Sequence, residues 1–144
     1  MPHVEIPYPY GKLGSYPHLG PQDAAIWDRF IANNPGKFIR CWYDFRVGDE
    51  DAIDANIPQA VAQNWWDLSY WRIDVAAEDR EKIYIIEIKP RANAKAIGQA
   101  DAYAALYEED EKPAKQVVAV VLTDIATPTL LRVAKNRGVE VWTS

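Results

Sequence analysis

The chain has 144 residues, 49% apolar and 26% charged, which suits one globular domain with a substantial core. A net charge of −5 works against broad, sequence-blind attraction to a polyanion, which depends on Lys and Arg. The longest apolar run, Val117–Leu122, is too short to span a membrane, and the start of the chain lacks a basic and apolar leader pattern. No membrane partner is therefore expected. The lone Cys41 excludes an intrachain disulfide. It reads as a small strand residue in a reducing, cytoplasmic setting.

Residues 1–20 hold Pro2, Pro7, Pro9 and Pro17 among Tyr8, Tyr10 and Tyr16. Proline fixes φ and removes a donor, so neither a helix nor a central strand is expected. The segment reads as an extended arm, with one domain over 21–144. The arm either lies on its own domain or docks elsewhere. Because the elements from Pro21 onward form a complete set, docking on a second copy or a larger assembly is expected, with Tyr8, Tyr10 and Tyr16 as anchors.

Pro21–Asn33 has Ile26, Trp27, Phe30 and Ile31 at helical spacing, and Pro35-Gly36 ends it. Lys37–Val47 reads as a strand. Gly48–Asn64 is an acidic loop with Asp49, Glu50, Asp51 and Asp54, read as solvated, with a short helix over Pro58–Gln63. Strands follow at Trp65–Val75 and Lys82–Lys89, where Pro90 is expected to end the strand. Trp65, Trp66, Tyr70 and Trp71 form a dense aromatic group, suited to core or interface filling or to stacking on nucleobases.

A helix is expected over Asn93–Glu108. Its Gln99 and Tyr103 are i and i+4, one turn apart on one face. Lys115–Thr123 is apolar on both faces and so should be covered on both sides. Thr127-Pro128 opens a last helix, Gly138 closes it, and Val139–Trp142 is a final strand. The order αβββαβαβ implies an α/β fold: a mixed sheet flanked by helices.

One hairpin carries the chemistry. With its turn centred between Arg80 and Glu81, Asp74 faces Glu87 and Arg72 faces Lys89. Facing residues have Cβ atoms about 4.5–5.5 Å apart. Placing carboxylate against carboxylate needs a reason, and a divalent cation supplies one. Mg²⁺ takes one or two carboxylates together with waters and phosphate oxygens. Glu87 and Lys89 share a strand face, so Lys89 points toward whatever the cation holds.

Asp74, then Glu87-Ile88-Lys89, then Gln99-x-x-x-Tyr103 resembles the PD-(D/E)xK nuclease superfamily. The Gln-x-x-x-Tyr pair is similar to its RecB-like branch. The run Arg72–Trp142 resembles the nuclease domain of NucS-type endonucleases: an RID strand, an EIK strand, a GQ…Y helix, a VV-rich strand and a helix ending in RGVEVW.

The resemblance implies a restriction-endonuclease-like fold and metal-dependent cleavage of DNA phosphodiesters. In that reading Asp74 and Glu87 hold Mg²⁺ or Mn²⁺, with the Ile88 carbonyl as a further ligand. Lys89 orients water or offsets charge on phosphorus. Gln99 holds the water or a phosphate, and Tyr103 supports Gln99 or touches the nucleic acid. Some superfamily members carry an acidic ligand on the first helix, a part open to Asp23 or Asp28. Lys89, Arg91 and Lys95 would form a local basic strip. Two other classes stay open: a nuclease-fold protein with a structural role, for example in a phage head or neck and so virion-associated, and a non-nuclease binding module.

Overall fold

Apolar spacing decides the elements and which face each one buries. The computed structural model describes residues 6–48 and 71–144. In chain order they are β1 (Tyr8–Pro9), α1 (Pro21–Asn33), β2 (Arg40–Val47), β3 (Trp71–Glu78), β4 (Lys82–Arg91), α2 (Ala94–Glu111), β5 (Gln116–Ile125), α3 (Pro128–Arg137) and β6 (Glu140–Thr143). Beyond the two-residue β1, this is the expected αβββαβαβ order. The acidic loop, the helix expected over 58–63, and Trp65, Trp66 and Tyr70 lie outside the described residues.

The strands form one six-stranded sheet in the order β1 to β6. β1 to β4 pair antiparallel, and β4, β5 and β6 pair parallel. The parallel part follows from the helical crossovers, which return each strand in the same direction.

Two apolar clusters sandwich the sheet. On one face Ile83, Ile85, Ala119 and Val121 pack under Ala96, Ile97, Ala100 and Ala104 of α2 and Leu130 and Ala134 of α3. On the other, Ile86, Ile88, Val118, Val120 and Leu122 pack under Ile26, Trp27, Phe30 and Ile31 of α1. β5 is thus covered on both sides. The small alanines of α2 let that helix lie close to the sheet. Its N-terminus is capped by Asn93, whose side chain accepts from Ala96 N at 3.2 Å. Thr127 caps α3 in the same way, and Gly138 closes it in the left-handed conformation.

Two outcomes bear on the expectations. First, residues 6–20 of the arm lie on their own domain, one of the two placements left open. Tyr8 pairs with Cys41 as an edge strand. The Tyr10 hydroxyl donates to Asn34 O at 2.7 Å. Tyr16 is 5% exposed within the α1-side core, and its hydroxyl donates to Asp28. The three tyrosines expected to anchor a partner are committed here. An aromatic ring near an apolar sheet face gains more from burial than from solvent.

Second, Pro90 does not end its strand: β4 continues through it to Arg91. Its missing N–H is not needed there, because the β3–β4 ladder has its last pair at Val75–Ile86. The Pro90 carbonyl instead accepts from the buried Thr123 hydroxyl, which in turn accepts from Ala92 N. Thr123 therefore fixes the step from β4 into α2.

Candidate active site

The β3–β4 ladder pairs Val75 with Ile86, Ala76 with Ile85, Ala77 with Tyr84 and Glu78 with Ile83. This register centres the turn between Arg80 and Glu81. One step further, Asp74 stands opposite Glu87. There the backbone ladder gives way to a side-chain bond: Ile88 N donates to Asp74 Oδ2 at 2.9 Å. Ile88 contributes backbone to this junction, while its side chain is buried on the α1 face.

Glu87 shares the face of Ile83 and Ile85, the one covered by α2. It is 5% exposed, a rare condition for a carboxylate. Its Oε2 is buried and meets no hydrogen-bond donor among the described residues. Asp74 lies within hydrogen-bonding reach, but two carboxylates are both acceptors, so a bond between them needs a shared proton. Burial, then the Asp74 charge, push the Glu87 carboxyl up to about 9. Asp74 is also raised, chiefly by burial, against the opposing effect of the Ile88 N–H. Lys89 Nζ lies 4.0 Å from Glu87 Oε1 and remains partly open to solvent. Arg91 and Lys95, beyond it, are exposed.

Two α2 residues close the site. Gln99 lies within hydrogen-bonding reach of the Tyr103 hydroxyl, as expected for i and i+4. Gln99 Oε1 is buried and without a partner among the described residues. Burial and the charges of Glu87 and Asp74 raise the Tyr103 phenol, which places the ring in the field of the carboxylate pair. The structure therefore brings Asp74, Glu87, Lys89, Gln99 and Tyr103 together.

The two acidic candidates on α1 separate. Asp28 accepts from Tyr16 and is occupied with holding the arm. Asp23 sits within the electrostatic reach of Asp74, Glu87 and Lys89; its carboxyl is raised by burial, with Lys89 acting against the shift. Among the described residues, no three His, Cys, Asp or Glu side chains gather tightly enough to form a metal cluster. The site is a carboxylate pair with a third acid further off.

Asp44 is a residue that sequence reasoning missed. It lies across from Asp74 in the β2–β3 register, at a position where the pairing skips. Its φ is +53, unusual for a non-glycine residue within a strand. Alternation slips there. Cys41 and Tyr43 face α1, whereas Phe45 and Val47, still odd-numbered, face α2. β3 slips in step, with Ile73 on the α2 side and Val75 on the α1 side. Both strands invert together, so the register survives while the sheet opens at the Asp74 position. Asp44 itself binds Arg72, at 3.4 Å. The available signal was a polar residue interrupting an otherwise regular aromatic strand.

No protein-family model and no curated protein matches the chain. Solved structures do. Over 95% of its length it superposes on EndoMS, solved in complex with double-stranded DNA, at 18% identity and TM-score 0.51. Over 83% it superposes on a repair endonuclease from Pyrococcus abyssi, at 18% identity and TM-score 0.50. The chain shares their restriction-endonuclease-like fold. It spans about half of each, 48% and 46%. At this identity the likeness establishes the architecture, and the chemistry must be argued from the residues. Among the described residues no helix is long and apolar enough to cross a membrane.

Proposed function

We propose that this chain is a metal-dependent nuclease of the PD-(D/E)xK type that hydrolyses phosphodiester bonds in DNA. The observation that carries the reading is the Asp74–Glu87 pair, Glu87 buried and Asp74 half-buried, with an oxygen of Glu87 that meets no donor among the described residues and Lys89 beside it. A fold sets a buried acid against a half-buried one at a cost in stability, so the arrangement needs a ligand that repays it. A hard divalent cation fits: the donors are carboxylate oxygens, and two of them suffice when waters and phosphate oxygens complete the shell. Shared architecture with a repair endonuclease and with EndoMS, solved on DNA, supports the same class of substrate.

In this reading Asp74 and Glu87 hold Mg²⁺ or Mn²⁺, with the Ile88 carbonyl as a further candidate ligand. When bound, the cation supplies Lewis acidity toward a phosphoryl oxygen and acidifies water. The chain's own groups do the rest. The Ile88 N–H orients the Asp74 carboxylate and opposes the rise that burial causes. Lys89 brings a positive charge to the place where negative charge grows on phosphorus. Gln99, whose side-chain oxygen has no partner among the described residues, orients a water or a phosphate-bound donor, and Tyr103 holds the amide in place. The exposed Arg91 and Lys95 add local attraction for the backbone that an acidic chain lacks overall.

Plasmid nicking with Mg²⁺ or Mn²⁺, against an EDTA control, tests the proposal. Metal-dependent conversion of supercoiled to open-circular DNA is expected. An inert protein that remains folded would overturn it.

A further inference from the structure

Asp44, on β2, carries two local costs. Its φ of +53 lies in the left-handed region, which Asp tolerates better than most side chains. Its Oδ1 is buried and has no partner among the described residues. Such costs persist where the surrounding structure enforces them, and they gather at functional sites. The other oxygen, Oδ2, accepts from Arg72 Nη1 at 3.4 Å. Arg72 is where the kink takes effect. In β3, Ala76 lies on the α2 face, and so by alternation does Asp74, level with Glu87. Regular alternation two residues further would put Arg72 there too. It would stand opposite Lys89 and diagonal to Glu87, about 7–8 Å away and within reach of a long side chain. A guanidinium offers a carboxylate two parallel donors, so it would close on the pair and occupy the oxygens that a cation needs. The structure does otherwise. Ile73 lies on the α2 side and Trp71 packs against Tyr103 of α2, so Arg72 points to the α1 face. There its Nη1 also meets Nδ1 of His18, at 3.3 Å. His18 belongs to the arm, whose Tyr16 and Leu19 pack in the α1-side core. The inversion that moves Arg72 is level with Asp44: Tyr43 pairs with Val75, Phe45 with Ile73, and the ladder skips between them. The cation that acts on both carboxyls is Lys89.

We infer that Asp44 is a positioning residue: its left-handed backbone and its carboxylate together hold Arg72 on the α1 face, away from Asp74 and Glu87, so that the pair stays open to a divalent cation. The inference rests on the metal-dependent reading of the pair and adds to it a residue outside the hairpin that governs it. Asp suits both parts. A β-branched residue resists positive φ, whereas Gly permits it but leaves Arg72 without its anion.

The test is Mn²⁺ binding to the metal-free protein without DNA, with free Mn²⁺ counted by electron paramagnetic resonance. Asp44→Ala removes the carboxylate and disfavours the left-handed backbone. Mn²⁺ affinity should fall by about 10- to 100-fold, the range for a residue that orients a metal ligand. Adding Arg72→Gln to that variant should return affinity to within about threefold of wild type, because the competing guanidinium is gone. Asp44→Asn tolerates the same backbone and still accepts from Arg72, so it should bind like wild type. General damage at Asp44 would not be undone by a second substitution at Arg72. Wild-type affinity in Asp44→Ala overturns the inference, and so does a double variant that binds as weakly as the single one. Arg72→Gln alone leaves Asp44 in place, so it decides the matter even where Asp44→Ala fails to fold. It should keep affinity within about threefold, and a larger change means that Arg72 already acts on the pair and overturns the inference. Plasmid nicking by the same samples is read separately. A wild type that binds Mn²⁺ and nicks, with Asp44→Ala equal to it, sinks this inference and spares the nuclease reading. One that follows the binding pattern but never nicks does the reverse, and one that binds no Mn²⁺ sinks both.

Discussion

The two ends of the β3–β4 hairpin obey opposite electrostatic rules. At the turn the carboxylates of Glu78 and Asp79 are matched. Glu78 contacts Arg40 at 3.0 Å and Lys115 at 3.2 Å. Asp79 Oδ1 accepts from Glu81 N and Lys82 N at 2.8 and 2.7 Å, and Lys115 Nζ also donates to the Asp79 carbonyl. Burial would raise the Asp79 carboxyl, but those N–H groups outweigh it and hold it below its usual value. At the other end, about four residues along the same strands, Asp74, half-buried, faces the buried Glu87 with Asp23 nearby, and burial pushes all three carboxyls up. One end is arranged for folding. The other sets acids together without matching cations, the pattern expected of a functional site.

The largest test of that contrast is catalytic. Glu87→Gln keeps the shape and removes the charge. It should lower metal-dependent nicking by about a hundredfold or more, as should Lys89→Ala, with the far-ultraviolet circular dichroism unchanged. Wild-type rates in both variants would place the chemistry elsewhere.

The second test is stability against pH in metal-free protein. A carboxyl raised in the folded state stays protonated there while the unfolded chain ionises. Its contribution is therefore fully present below about 4.5 and is lost as pH rises toward about 9. At pH 7 the penalty from Glu87 is about 3 kcal/mol or less. Denaturant melts in EDTA should show stability falling across this window, Glu87→Gln should flatten the slope, and Mg²⁺ should restore stability at the alkaline end. A flat wild-type profile would mean that the pair is not strained.

The arm offers a comparison of similar size on the α1 face, where burial is apolar and matched. Tyr16→Ala should destabilise by about 3 kcal/mol through the cavity it leaves, and Tyr16→Phe by about 1 through the lost bond to Asp28. Removing residues 1–20 should therefore cost stability and expose Tyr43 and Trp27. A truncated chain that melts like the full one would return the arm to the role of a docking segment.

The ease of reading these regions from sequence differs for physical reasons. The hairpin was legible because charged turn residues fix the register of an antiparallel pair, and register alone sets Asp74 against Glu87. Gln99 and Tyr103 followed from helical period. The slip at Asp44 was not legible: strand alternation is inferred by assuming regular φ, and one left-handed residue in β2 with a matched irregularity in β3 breaks that assumption without changing the register. Pro90 misled because its effect depends on whether a neighbour needs its N–H, which only the third dimension reveals. The tyrosines of the arm misled because a ring that can anchor a partner can equally be buried on its own sheet.

The smallest expected effect is the control at the turn. Glu78→Gln removes one charge from a group that touches Arg40 and Lys115, both of which are partly solvated. Screened pairs of this kind contribute about 1 kcal/mol or less. The variant should thus lose a little stability, with the loss shrinking as salt rises. Its nicking rate should equal wild type, since Glu78 lies at the far end of the strand from Asp74 and on the opposite side of the turn from Lys89. The same chemical change, Glu to Gln, would then lower stability at one end of the hairpin and raise it at the other while abolishing activity only there. If Glu78→Gln instead stabilises the metal-free protein, both ends carry surplus negative charge, and the distinction drawn from their partners fails.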